Sequence, residues 1–122
     1  MTSQPAIFDI KVYRGYDWFY QIRLQNEADD GSITPLDLTG GEIASTAWDQ
    51  SRTIKYADFN VEYISRTGGI FKISLTDEQT VNFPSVLYYD VRLKNSGDKK
   101  TPYIIGKITV NQGYTRWETT LQ

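Results

Sequence analysis

The chain has 122 residues, of which 39% are hydrophobic and 14% aromatic, enough to bury a core in one domain and too apolar for a disordered polymer. It has no cysteine and no histidine, which excludes disulfides, thiolate metal sites, cysteine nucleophiles and the side chain that titrates near neutrality. The net charge of -2 comes from nearly balanced acids and bases, with no clustered basic face for nucleic acid.

No apolar run reaches the ~18 residues of a membrane span, and the start MTSQPAIFDI lacks a charged-then-apolar leader pattern. A soluble protein with no membrane partner, no nucleic-acid partner and no cofactor is expected. One domain is expected over 1–122, with a short N-terminal arm (1–5) and a C-terminal tail (114–122).

Ile7 to Val12 predicts a first strand, ended by the turn-prone Gly15. WFYQIRLQ alternates, with Trp18, Tyr20, Ile22 and Leu24 on one face and Gln21, Arg23 and Gln25 on the other. NEADDGSITP predicts a loop with a tight turn at Asp30-Gly31. LDLTGGEIASTAWDQ predicts a short strand, a Gly-Gly break and a second strand through Trp48. In DFNVEYIS, Phe59, Val61 and Tyr63 share a face, and in the next segment Phe71, Ile73 and Leu75 do. LTDEQT predicts a single helical turn or two: Thr76 caps it, Gln79 completes a capping box, Asp77 and Glu78 suit the positive end of the helix dipole, and Pro84 ends it. This connector carries the chain across one end of the fold. YYDVRLKN and PYIIGKITVN then predict a hairpin joined by SGDKKT, followed by a polar tail. About seven to eight short strands at this spacing, with one short helical connector near 76–83, predict an all-β protein, an immunoglobulin-like β-sandwich.

Few residues offer chemistry. Asp29 and Asp30 lack the alternating oxygen pattern of a calcium loop and suit a solvated hairpin. Asp77 and Glu78 are explained by the helix start and point apart. Asp90 lies between apolar strand positions; a general acid is one reading, and an outward position beside Arg92 or a cross-strand cation is favoured. Serines lack an activating base, and Gly40-Gly41 and Gly68-Gly69 are turn punctuation rather than phosphate loops. No catalytic or metal-binding residue is assigned. Trp18, Phe19, Tyr20, Trp48, Tyr88 and Tyr89 can form a stacking platform for sugars or bases, but core packing is the favoured reading. Tyr114, Arg116 and Trp117 lie past the last predicted strand, where they suit contact with another chain.

The phrases LDLTG (36–40), GIFKISLTDEQT (69–80), YYDVRL (88–93), GKITV (106–110) and a closing TR (115–116) come in an order similar to that of the small β-sandwich modules of tailed-bacteriophage virion proteins. The chain resembles the N-terminal domain of phage baseplate upper proteins and tail-fibre attachment domains over nearly its whole length. The resemblance implies a non-enzymatic structural component of a baseplate, neck or fibre adaptor. Such a component docks other virion structural proteins, is oligomeric in the particle and is assembled in the host cytoplasm. It also implies that any fibre shaft or receptor-binding tip belongs to another polypeptide. The alternative from a different class is a carbohydrate-binding module for host recognition. That module needs two or three rings on one open face, whereas an assembly module carries its anchors on arms and edges.

Overall fold

The structure, a computed structural model, describes residues 5–112. Eleven strand segments and one helical turn follow in order: β1 Ala6–Ile7, β2 Ile10–Arg14, β3 Trp18–Arg23, β4 Gln25–Glu27, β5 Ile33–Pro35, β6 Glu42–Trp48, β7 Lys55–Asp58, β8 Asn60–Ser65, β9 Ile70–Leu75, α1 Asp77–Thr80, β10 Val86–Lys94 and β11 Lys100–Gln112. The larger sheet has the order β1-β11-β10-β6-β7, with β2 also pairing β11; the smaller is β3-β9-β8, and β4-β5 is a separate hairpin. The fold is an all-β sandwich with one short helical connector, as the alternation implies.

Strand parity explains how the two sheets close on a core. Along β10, Leu87, Tyr89, Val91 and Leu93 turn inward, while Val86, Tyr88 and Arg92 turn out. They meet Phe71, Ile73 and Leu75 of β9, together with Ile10, Val12, Ile22, Ile43, Ile104, Ile108 and Val110. Side chains buried this completely are each worth about 1.5–3 kcal/mol over exposure, so this alternation decides which way every strand faces.

One hairpin builds the larger sheet, and one helical turn joins the two layers. The predicted hairpin of β10 and β11 forms with antiparallel register from Val86–Thr109 to Lys94–Lys100. Its register shifts between Val91 and Arg92, which admits Pro102 into a strand interior at an irregular point of the ladder, where proline is tolerated. The capping box also forms: the Thr76 hydroxyl accepts from Gln79 N at 3.2 Å, and Thr76 N donates to the Gln79 side chain at 2.8 Å. The helical turn then carries the chain from β9 in one sheet to β10 in the other. Thr80 is fully buried there; its hydroxyl donates to Tyr16 O and accepts from Gly15 N, each at 3.0 Å, tying the turn to the β2–β3 corner.

Three sequence expectations are corrected. Leu36 to Leu38 form no strand; Leu38 N donates to Arg66 O, and the Leu38 side chain is buried as a plug beside the two-stranded hairpin. The DFNVEYIS segment belongs to two sheets: β7 pairs β6, β8 pairs β9, and the chain changes layer at the buried Phe59. The first strand is split at Phe8 and Asp9, although β1 and β2 keep one register against β11, with Ile7 opposite Ile105 and Ile10 opposite Ile108. The split has a specific cause. Phe8 falls opposite Gly106, its carbonyl lies over that glycine where a Cβ would come within 2.0 Å of it, and it accepts a 2.6 Å hydrogen bond from the Tyr89 hydroxyl. The next donor along β11, Lys107 N, bonds the Asp9 carboxylate at 2.9 Å instead of that carbonyl.

Candidate functional site

The outer face of the larger sheet carries a groove of about 480 Å³, lined by Thr46, Trp48, Arg52, Lys55, Asp58, Tyr88, Tyr89, Asp90 and Arg92. Cross-strand register puts its rings side by side: Tyr88 of β10 stands directly opposite Trp48 of β6, and both turn away from the core because Leu87, Tyr89 and Ala47 turn into it. Asp90 stands opposite Thr46 in the next row, and Arg92 opposite Ala44 in the row beyond. Two rings, a hydroxyl, a carboxylate and a guanidinium thus share one open surface. Of the aromatics that sequence favoured for core packing, Tyr89 is buried and Trp18 half-buried, but Tyr88 and Phe19 are exposed.

The charges in the groove fall into two groups. Asp58 is engaged: it accepts from Lys55 Nζ at 3.1 Å and from the Thr46 hydroxyl at 3.1 Å. The Lys55 hydrogen bond, then that of Thr46, hold its carboxyl below the usual value. Asp90 and Arg92 pair with no cation or carboxylate among the described residues, and the Tyr88 hydroxyl makes no hydrogen bond there. Asp90 does face outward beside Arg92, as expected, but without the cross-strand ion pair that the sequence also allowed.

Arg52 was not singled out by sequence reasoning. Its guanidinium lies 5.8 Å from the centroid of the Trp48 ring, within cation–π range. Its backbone has φ of 59°, a left-handed conformation that costs a non-glycine residue on the order of 1–3 kcal/mol unless its surroundings impose it. Asp49 supplies those surroundings. Its carboxylate accepts from Thr53 N at 2.8 Å, Ile54 N at 3.0 Å and the Ser51 hydroxyl at 2.9 Å. The Ile54 N–H is foremost among the bonds that hold this carboxyl below its ordinary value. The carboxylate clamps the 49–54 turn, and the clamped turn delivers Arg52 to the groove wall. The signal for the rest lay in parity: Tyr88, Asp90 and Arg92 alternate with Leu87, Tyr89, Val91 and Leu93, which are the better core set.

Two other acidic stretches resolve as local structure. Asp30 accepts from the backbone and hydroxyl of Ser32 at 2.9 and 2.7 Å within the β4–β5 hairpin loop. The Asp77 carboxylate accepts from Glu78 N at 2.8 Å in the first helical turn. Among the described residues, no three side chains of the metal-ligating types come together as an ion site, and no helix is long and apolar enough to cross a membrane. The expected contact residues Tyr114, Arg116 and Trp117 lie outside the described residues, as does the arm except Pro5.

A second surface feature is the edge of the smaller sheet. Strand β3 pairs β9 from Trp18–Leu75 to Arg23–Ile70 without a register shift, and β8 lies on the far side of β9. Phe19 is 68% exposed on this strand, with the Lys72 ammonium 5.7 Å from its ring centroid, and Tyr20 is 44% exposed. The Tyr20 ring lies 4.9 Å from that of Phe8 on the facing sheet.

The sequence matches no protein-family model and no curated protein. A solved structure to which it is similar is AggA, the major subunit of aggregative adherence fimbriae type I from Escherichia coli, at 10% identity over 85% of this chain and 91% of that one, with a TM-score of 0.34.

Proposed function

We propose that this protein is a non-enzymatic assembly module of a tailed-phage particle, in the baseplate, the neck or a fibre adaptor, and that it docks neighbouring virion subunits through the β3 edge. The particle rests on the order of the sequence phrases; the mode of docking rests on one observation. Of the four outer edges of the two large sheets, three are interrupted within the described residues. β1 and β2 are split at Phe8 and Asp9, β7 has a register shift against β6, and β8 has one against β9. Only β3 runs six residues without a break. Sheet proteins ordinarily blunt such edges with bulges, prolines or charges because an open flat edge recruits another strand. An unblunted edge bearing Phe19 and Tyr20 suits strand addition by a partner, with main-chain bonds giving affinity and side-chain contacts giving specificity. A chain without cysteine or histidine suits that static role better than catalysis.

The experiment is mass spectrometry of gradient-purified particles, followed by incorporation of a Phe19→Lys variant. The chain is expected in particles at a fixed copy number. The variant, altered at an exposed position, is expected to melt with the wild type and to lose incorporation by about tenfold or more, the effect of losing an aromatic interface anchor. Absence of the chain from particles overturns the virion assignment; normal incorporation of Phe19→Lys overturns docking at β3.

A further inference from the structure

We infer that the groove on the larger sheet is a binding site for an acidic sugar, a hexuronate-type unit of a polysaccharide, separate from the β3 edge. Three observations converge on that chemistry. Trp48 and Tyr88 are neighbours in register on an open sheet face, and aromatic faces are natural platforms for the apolar C–H face of a pyranose ring. Around them stand hydrogen-bonding groups of both kinds. Asp90 offers acceptor oxygens and Tyr88 a hydroxyl, and neither engages another described side chain. A hydroxyl-rich ligand needs donors and acceptors together. The third observation is charge. Arg52, Lys55 and Arg92 face Asp58 and Asp90 in the lining, and because Lys55 and Asp58 pair with each other, the two guanidinium groups outweigh the one free carboxylate.

A guanidinium binds a carboxylate through two parallel N–H bonds. Arg92 stands one row from Asp90 and two rows from Tyr88 along β10, about 13 Å at ~3.3 Å per residue, so a run of two or three sugar units lying along the strand spans from ring platform to cation. Arg52 closes the other wall, held over Trp48 by the turn that the Asp49 carboxylate clamps. Asp90 opposes a densely anionic ligand such as a polyphosphate but tolerates a single carboxylate flanked by hydroxyls. The volume of about 480 Å³ lies within the roughly 300–1000 Å³ of small-molecule sites.

The test is calorimetric titration of the full chain with tetragalacturonate, galactotetraose and a tetraglutamate peptide, monitored in parallel by tryptophan fluorescence. Saturable binding of tetragalacturonate is expected, with galactotetraose weaker by about tenfold or more for want of the guanidinium–carboxylate bonds. Arg92→Ala, an exposed change, is expected to weaken binding by a similar factor with unchanged melting, and Tyr88→Ala to weaken it further. Phe19→Lys is expected to bind as the wild type does, which separates this site from the docking edge. Absence of saturable binding, or binding unmoved by Arg92→Ala, overturns the site. Equal binding of galactotetraose overturns the acidic ligand, and equal binding of tetraglutamate overturns the sugar.

Discussion

Replacing Gly106 with alanine tests the account of the split first strand. An ideal Cβ at this position meets Phe8 O at 2.0 Å, Phe8 C at 2.8 Å and Tyr89 Cε1 at 2.9 Å. The first two are backbone atoms of the facing strand, so no flexible side-chain tip can simply swing away. The Phe8 carbonyl must withdraw by about 1 Å to reach the 3.0 Å below which Cβ contacts are essentially never found. Its hydrogen bond from the Tyr89 hydroxyl, 2.6 Å long, then stretches to a length that no longer counts as a bond. A buried hydroxyl left unpaired costs ~1–3 kcal/mol, and weakening the adjacent Phe8 N to Ile105 O bond adds ~1 kcal/mol. The lower entropy of the unfolded alanine chain returns ~0.5–1 kcal/mol. A net loss of about 2–3 kcal/mol is expected, which for a domain of this size lowers Tm by roughly 10–15 °C. Denaturant titration of wild type, Gly106→Ala, Tyr89→Phe and the double variant measures it. Because both single changes remove one shared bond, the double variant is expected to lose about 1 kcal/mol less than the sum of the singles. Additive losses, or a loss under about 0.5 kcal/mol for Gly106→Ala, refute the reasoning.

Gln79→Ala is expected to cost more than Thr76→Ala, about 2 against about 1 kcal/mol, in thermal or chemical melts. The threonine side chain accepts one bond, whereas the glutamine side chain accepts from Thr76 N and Asn60 Nδ2 and donates to Asp58 O. Burial, then the nearby charges of Asp9 and Tyr20, raise the Tyr89 hydroxyl well above its ordinary pKa of 10.0. Its contribution is therefore full below pH 10 and is lost as pH rises through the folded value. Spectrophotometric titration is expected to show one tyrosine ionising late, and a denaturant midpoint that falls above pH 10 in wild type falls less in Tyr89→Phe.

Much of the fold was written in local pattern. The inward set of β10, the β10–β11 hairpin and the Thr76–Gln79 cap depend on near neighbours and on strand parity, and each forms as the residues imply. What escaped depends on distant partners. Phe8 and Asp9 lie in an alternating run, and only Gly106 and Tyr89, some 80 to 100 residues away (separations of 81 and 98 for the bonds at this point), break it. Phe59 has the parity of Val61 and Tyr63, so nothing local marks it as the point where the chain changes sheet. Leu36 and Leu38 alternate like a strand but are drawn out of one by Leu24 and Arg66. The groove was half legible. Tyr88, Asp90 and Arg92 could be placed outward from the better apolar set on their strand. Trp48 could not, because Ile43, Ser45 and Ala47 make a weak inward set against Ala44 and Thr46, and the left-handed Arg52 leaves no mark in composition.

The parallel pairing of β1 and β2 with β11 bears on how the molecule carries load. The described chain enters along Ala6–Arg14 and leaves along Lys100–Gln112, and these two stretches run side by side in the same direction. A pull on the entering end and on the leaving end drags the two strands lengthwise past each other. Bonds at Ile7, Ile10 and Val12 are then strained together, whereas strands peeled from an end come away bond by bond. Asp9 Oδ1, which accepts from Lys107 N at 2.9 Å, and Tyr89, which grips Phe8, sit at the middle of that contact and resist sliding where the ladder itself is interrupted. Resistance to forced extension is governed by the unfolding rate rather than by equilibrium stability, so a pull between these two stretches loads the seam in shear, and its rupture sets that rate.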